Sequence, residues 1–168
     1  MKTKIYFTIV FFAILASGFA QNQSWSKFQW IIGEWKGEGG GQPGNGGGTF
    51  SFKPDLNDKV LVRKSHSEYS TKDNFPVVVH DDLMIMYLDP AGNPLKAIYF
   101  DSEGHTINYA ITCTDKTIVL QSEKMPNVPV FRLTYTLLDD GRVNTKFEMS
   151  QDGEKFTTYI EGKSFKIK

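Results

Sequence analysis

The chain has 168 residues, with 19 Lys plus Arg against 19 Asp plus Glu, 14% aromatic residues and a single cysteine. Its charges are balanced and interspersed, leaving no basic stripe, which excludes nucleic acid and anionic lipid surfaces as main partners. One cysteine excludes an internal disulfide, so packing alone must hold the fold.

Residues 1–20 read as a signal peptide. Lys2 and Lys4 give a positive start, Ile5 to Leu15 an apolar run, and Gly18 and Ala20 the small residues before a cleavage site. The run falls short of the roughly 20 apolar residues that span a bilayer. No membrane span is therefore expected. The expectation is an exported protein, secreted or periplasmic, with residues 21–168 as one domain.

Ser24 to Ile32 is the helical candidate. Ser24 or Ser26 can cap it, and Trp25, Phe28, Ile31 and Ile32 share a face at helical spacing. Such a turn would close one end of the fold, with Trp25 and Trp30 as packing residues. Gly33-Glu34-Trp35-Lys36-Gly37-Glu38-Gly39 follows. Glycine at alternate positions strips one face of a strand of side chains, and Trp35 is the large plug in that row.

From there, short alternating apolar runs recur between turn residues. Ten are expected: Gly33 to Gly39, Thr49 to Lys53, Lys59 to Tyr69, Val78 to Leu88, Leu95 to Asp101, His105 to Cys113, Thr117 to Glu123, Val130 to Leu137, Val143 to Ser150 and Lys155 to Phe165. Asp89-Pro90-Ala91-Gly92-Asn93, Ser102-Glu103-Gly104, Asp139-Asp140-Gly141 and Asp152-Gly153 supply the reversals. Gln42 to Gly48 and Ser70 to Pro76 are longer loops that could line one mouth. Short turns make successive strands antiparallel neighbours. The fold class is all-β, an antiparallel up-and-down barrel of about ten strands behind a short N-terminal helical turn.

The run from Val60 to Tyr69 has two polar faces. One reads Leu61, Arg63, Ser65, Ser67, Tyr69, and would place Arg63 inside to hold an acidic head group. The other reads Val60, Val62, Lys64, His66, Glu68, and would place an acid–base pair inside. In His80-Asp81-Asp82 only His80 and Asp82 share a side, too few ligands for a structural zinc site. Tyr87, Tyr99, Tyr109 and Tyr135 lie on central strands, where they pack or, with Arg63 and Arg132, form the polar end of a pocket. Cys113 reads as a small core residue. There is no Gly-x-Ser-x-Gly elbow and no phosphate loop.

The apolar turn, the Gly-x-Trp opening and the meander together resemble the calycin superfamily of lipocalins and fatty-acid-binding proteins. The string Gly33-x-Trp35-x-Gly37-x-Gly39-x-Gly41 is similar to the opening of nitrobindin-type haem-binding barrels, which have ten strands. The resemblance covers Trp25 to the C-terminus and implies the barrel. It does not carry haem across, because Gln42-Pro43 stands where those proteins have Tyr-Pro and no histidine follows His105. Lipocalins also pack a late basic residue over the first-strand tryptophan, a role that falls to Lys163 or Lys166.

The expected function is binding of a small apolar or amphipathic molecule. Its candidate contacts are Trp35, Arg63, His66, Tyr87, Tyr99, Tyr109 and Arg132, with no catalytic residue, metal or cofactor assigned. One alternative is an enzyme using His66, Glu68 and a tyrosine for proton transfer in the cavity. Another is a structural or interaction domain with a filled interior.

Overall fold

The computed structural model describes residues 25–39, 47–69 and 78–168. The predicted signal peptide, Ser24, most of the Gln42 to Gly48 loop and the whole Ser70 to Pro76 loop lie outside them. Ten strands form: β1 (Gly33–Gly37), β2 (Thr49–Asp55), β3 (Val60–Tyr69), β4 (Val78–Leu88), β5 (Pro94–Asp101), β6 (Thr106–Cys113), β7 (Thr117–Ser122), β8 (Val130–Leu137), β9 (Val143–Ser150) and β10 (Thr157–Lys166). They close into one barrel in the order β1-β10-β9-β8-β7-β6-β5-β4-β3-β2, every neighbour antiparallel. This is the all-β up-and-down barrel expected from sequence, a fold compatible with the calycin type. Among the described residues no helix is long and apolar enough to cross a membrane.

The helical segment is shorter than Ser24 to Ile32. It is a single 3₁₀ turn, Ser26–Phe28, with Trp25 at the N-cap position and no side-chain cap. Burial defines it rather than capping: Trp25, Phe28 and Ile31 all enter the core. The Trp25 indole donates to the Asp58 carbonyl at 2.9 Å. That carbonyl belongs to the β2–β3 turn, where Leu56, Asn57 and Asp58 take φ of 50°, 55° and 62° in succession. Three left-handed residues in a row are costly for L-residues, and Trp25 clamps the turn that holds them. Pro54 sits in β2 opposite Leu61. β1 pairs with β2 only as far as Phe52, so Pro54 lies beyond the β1 ladder, where β2 has a neighbour on one side only.

The barrel closes between β1 and β10. Glu34 N–H donates to the Lys168 carbonyl at 2.9 Å, and Ile167 N–H donates to Glu34 O at 2.8 Å. Gly33 allows this approach. Its φ is 132°, and a Cβ there would stand 2.3 Å from the Lys168 carbonyl oxygen. Trp35 is almost fully buried, donates from Nε1 to the Ile31 carbonyl at 2.7 Å and stacks on Phe50 at 6.1 Å. Lys166 places Nζ 5.5 Å from the Trp35 ring centre. The late basic residue over the first tryptophan is thus Lys166, which lies opposite Trp35 in the β1–β10 register.

The strands alternate cleanly. Phe50, Phe52, Leu61, Met84, Met86, Ala97, Tyr109, Ile118, Leu120, Tyr135 and Val143 are buried against Trp35 in one core. Phe50 and Phe52 pack on Tyr135 at 5.8 and 5.3 Å. These rings fill the end closed by the Ser26–Phe28 turn. The other end carries the turns after β5, β7 and β9. There the inward side chains Ile107, Phe131 and Phe147 remain partly accessible; this less tightly packed half of the interior is termed the cup, and the packed half its floor.

Candidate functional site

Polar groups of the interior gather around Arg63 from β3, β4, β5, β6, β8 and β9. Leu61, Arg63, Ser65 and Ser67 share the inward phase of β3, and His80, Asp82, Met84 and Met86 that of β4. Of the two β3 faces read from sequence, the Arg63 face is the inner one. Arg63 Nη1 donates to Asp82 in an ion pair whose side chains are 9% and 6% exposed. The guanidinium also lies 6.0 Å from the ring centres of Phe50 and Tyr135. Burial disfavours its charge, but the surrounding tyrosine oxygens and Asp82 more than compensate, so the proton is held above the ordinary guanidinium range.

Three tyrosines surround this pair. Burial, reinforced by the nearby carboxylates, pushes the Tyr99 and Tyr109 hydroxyls well above the usual phenol range. Burial likewise pushes Tyr135 up to about 12, although Arg63 pulls the other way. All three are neutral hydrogen-bonding groups at pH 7. Arg63 Nε, Tyr135 Oη and Thr145 Oγ1 are buried without a hydrogen-bond partner among the described residues. Thr145 lies directly across from Tyr135 in the β8–β9 register. Buried polar groups are rarely left so, since each costs about 1–3 kcal/mol.

The rim beside β4 and β5 carries a second polar group. His80 Nε2 meets Tyr99 Oη at 3.2 Å, and Nδ1 meets Glu103 Oε2 at 2.9 Å. Asp101 Oδ1 accepts from the His105 backbone N–H at 2.8 Å, and Asp101 Oδ2 meets His105 Nδ1 at 2.9 Å. Burial alone would raise the Asp101 pKa, but the His105 contacts carry it below the usual carboxylate range. Ligand atoms of His80, Asp101 and Glu103 lie within 4.8 Å of one another, close enough to share a divalent cation. Each of the three is already engaged in the contacts just described.

The other sequence candidates stand elsewhere. Trp35 is inside but lies in the floor, sealed by Ile31, Phe50 and Lys166. His66 is on the outer face of β3, bonded to Asp81 at 2.7 Å and Glu68 at 3.2 Å, with His66 48% and Glu68 61% exposed. Those contacts, Asp81 first, raise the His66 pKa. The sheet separates this pair from the tyrosines, so the convergence that proton transfer by His66, Glu68 and a tyrosine needs is not present. His66 instead borders a groove of about 440 Å³ outside β1 to β4, shared with Glu34, Ser51, Lys64 and Asp81. Tyr87 also faces outward, opposite Val60 and Lys96.

Arg132 is likewise separated from Arg63. It shares the outer face with Glu148, which accepts from Arg132 Nε at 2.9 Å and meets Lys146 Nζ at 3.0 Å. Its guanidinium lies 3.7 Å from the Phe156 ring centre, in the loop after β9. Among the seven candidates the structure therefore brings together Arg63, Tyr99 and Tyr109. Sequence reasoning did not name Asp82, Asp101 or Phe147 for this group. The shared side of His80 and Asp82 was the available pointer to Asp82.

Neither a scan of protein-family models nor a search of curated proteins finds a match for this chain.

Proposed function

We propose that the protein is an exported barrel of calycin type that binds a small amphipathic molecule in the cup above Arg63. The carrying observation is the convergence of Arg63, Tyr99, Tyr109 and Tyr135 in an interior whose open end is walled in part by Ile107, Phe131 and Phe147. Two of these groups have buried polar atoms without a protein partner. Ligand sites commonly combine an apolar lining with a few converging polar groups. Here Ile107, Phe131 and Phe147 supply the lining, with Phe131 and Phe147 stacked at 5.9 Å. Export is supported by the signal-peptide pattern of residues 1–20.

The test is titration with a neutral, polarity-sensitive fluorophore. The wild-type protein is expected to bind it with a blue shift, and Phe147→Arg, which puts a charge on the apolar wall, is expected to abolish that shift while leaving the fold intact by circular dichroism. Equal binding by both proteins would remove the cup from consideration.

A further inference from the structure

We propose that the cup is charge-saturated and takes a molecule whose polar end is uncharged, an alcohol or carbonyl rather than a carboxylate, sulfate or phosphate. This rests on the small-molecule reading above and narrows its ligand class. An arginine buried in a barrel suggests at first a seat for an acid. The neighbours of Arg63 argue against it.

Among the described residues, Arg63, Asp82, Asp101 and His80, the carboxylate, guanidinium and imidazole groups that face the cup, each have a partner within the protein. Arg63 is held by Asp82. Asp101 receives the backbone N–H of His105 and meets its ring. His80 is fixed between Glu103 and Tyr99, with Asp82 3.8 Å from its Nε2. Lys166, on the inward phase of β10, is at the far end over Trp35. The charges of the cup are thus paired before any ligand arrives.

An incoming carboxylate that accepted from the free Nε of Arg63 would stand beside Asp82, already paired at Nη1, and near Asp101. Like charges at that separation in a poorly hydrated site repel strongly. An incoming cation would have to displace Arg63 or a histidine. A neutral oxygen breaks no pair. It can accept from Tyr135 Oη or Arg63 Nε, the buried donors without protein partners, and a hydroxyl can also donate to Tyr99 or Tyr109. Discrimination therefore comes from the negative charge that Asp82 already places on Arg63, as much as from any attractive contact.

Isothermal titration of the purified chain at pH 7 with decanol and with decanoate, below micellar concentrations, tests this. The two probes share a chain and differ in end-group charge. Decanol is expected to bind at least about tenfold more tightly. Asp82→Asn, which frees Arg63, is expected to raise decanoate affinity by a similar factor. Decanoate binding as tightly as decanol to the wild-type protein would overturn the proposal. So would a folded Asp82→Asn protein with unchanged decanoate affinity. If that variant does not fold, the wild-type comparison decides alone. If neither probe binds, the small-molecule reading falls and takes this inference with it, an outcome distinct from a preference for the acid.

Discussion

Arg63 and Asp82 form a buried ion pair between diagonal positions of neighbouring strands. Arg63 lies opposite Met84 and Asp82 opposite Ser65, so the side chains reach across one step of the β3–β4 ladder. Removing one partner strands the other charge inside the barrel. Asp82→Asn is therefore expected to cost about 3–5 kcal/mol, whereas Arg63→Met combined with Asp82→Leu should lie within about 1 kcal/mol of wild type. Urea unfolding of the single and double variants checks this. Equal losses in both would show that the pair stabilises the fold in its own right.

The three interior tyrosines set the alkaline limit of stability. Their pKa values are raised on folding, so above the unfolded value of about 10 the unfolded chain releases protons that the native state retains. Stability is expected to fall as pH rises through 10. Absorbance at 295 nm should show Tyr99, Tyr109 and Tyr135 ionising only as the circular dichroism signal is lost. Ionisation of all the tyrosines before unfolding would contradict their burial.

The barrel was legible because its turns are. Hairpin turns of definite length fix register as well as direction. The short reversal from Leu138 to Arg142 puts Arg132 opposite Glu148, and that opposite-charge pair was the available signal that Arg132 belongs to a self-contained outer cluster. The β3–β4 connection is long, so no turn fixed the register that brings Asp82 to Arg63. Nor could alternation choose the inner face of β3, because both faces carry polar residues. Tyr87 was ambiguous for the complementary reason. Leu83 and Ile85 share its outer face while Met84 and Met86 line the inner one, so both faces of β4 are apolar and neither marks the interior. The run of left-handed residues at Leu56 to Asp58 had no glycine to announce it.

Two backbone positions predict opposite effects. At Gly33 a Cβ would collide with the Lys168 carbonyl, a clash with main chain that a rotamer change cannot relieve. Gly33→Ala is expected to destabilise by at least about 2 kcal/mol. Leu56 has φ 50° and is 67% exposed, so glycine there loses little packing and removes strain. Leu56→Gly is expected to stabilise by about 0.5–1 kcal/mol. Thermal denaturation of both variants checks the pair of signs.

On the outer wall, His66 is expected to titrate above its ordinary value because Asp81 and Glu68 favour its protonated form. Its contribution to stability is full below the unfolded pKa and is lost as pH rises through the raised folded value. A proton NMR titration of the His66 ring should show the raised midpoint, and Asp81→Asn should lower it. A midpoint unmoved by that substitution would mean that the Asp81 contact does not persist in solution. Because the pair sits outside the barrel, Asp81→Asn should leave fluorophore binding in the cup unchanged.

The central claim is that the open half of the barrel holds a small molecule. Native mass spectrometry of the protein purified from its own host tests it most directly. The account predicts a stoichiometric adduct of small-molecule mass on the wild-type protein, lost in Phe147→Arg, with an uncharged polar end once identified. A wild-type protein that appears only at its bare polypeptide mass, under conditions that preserve non-covalent complexes, would contradict it.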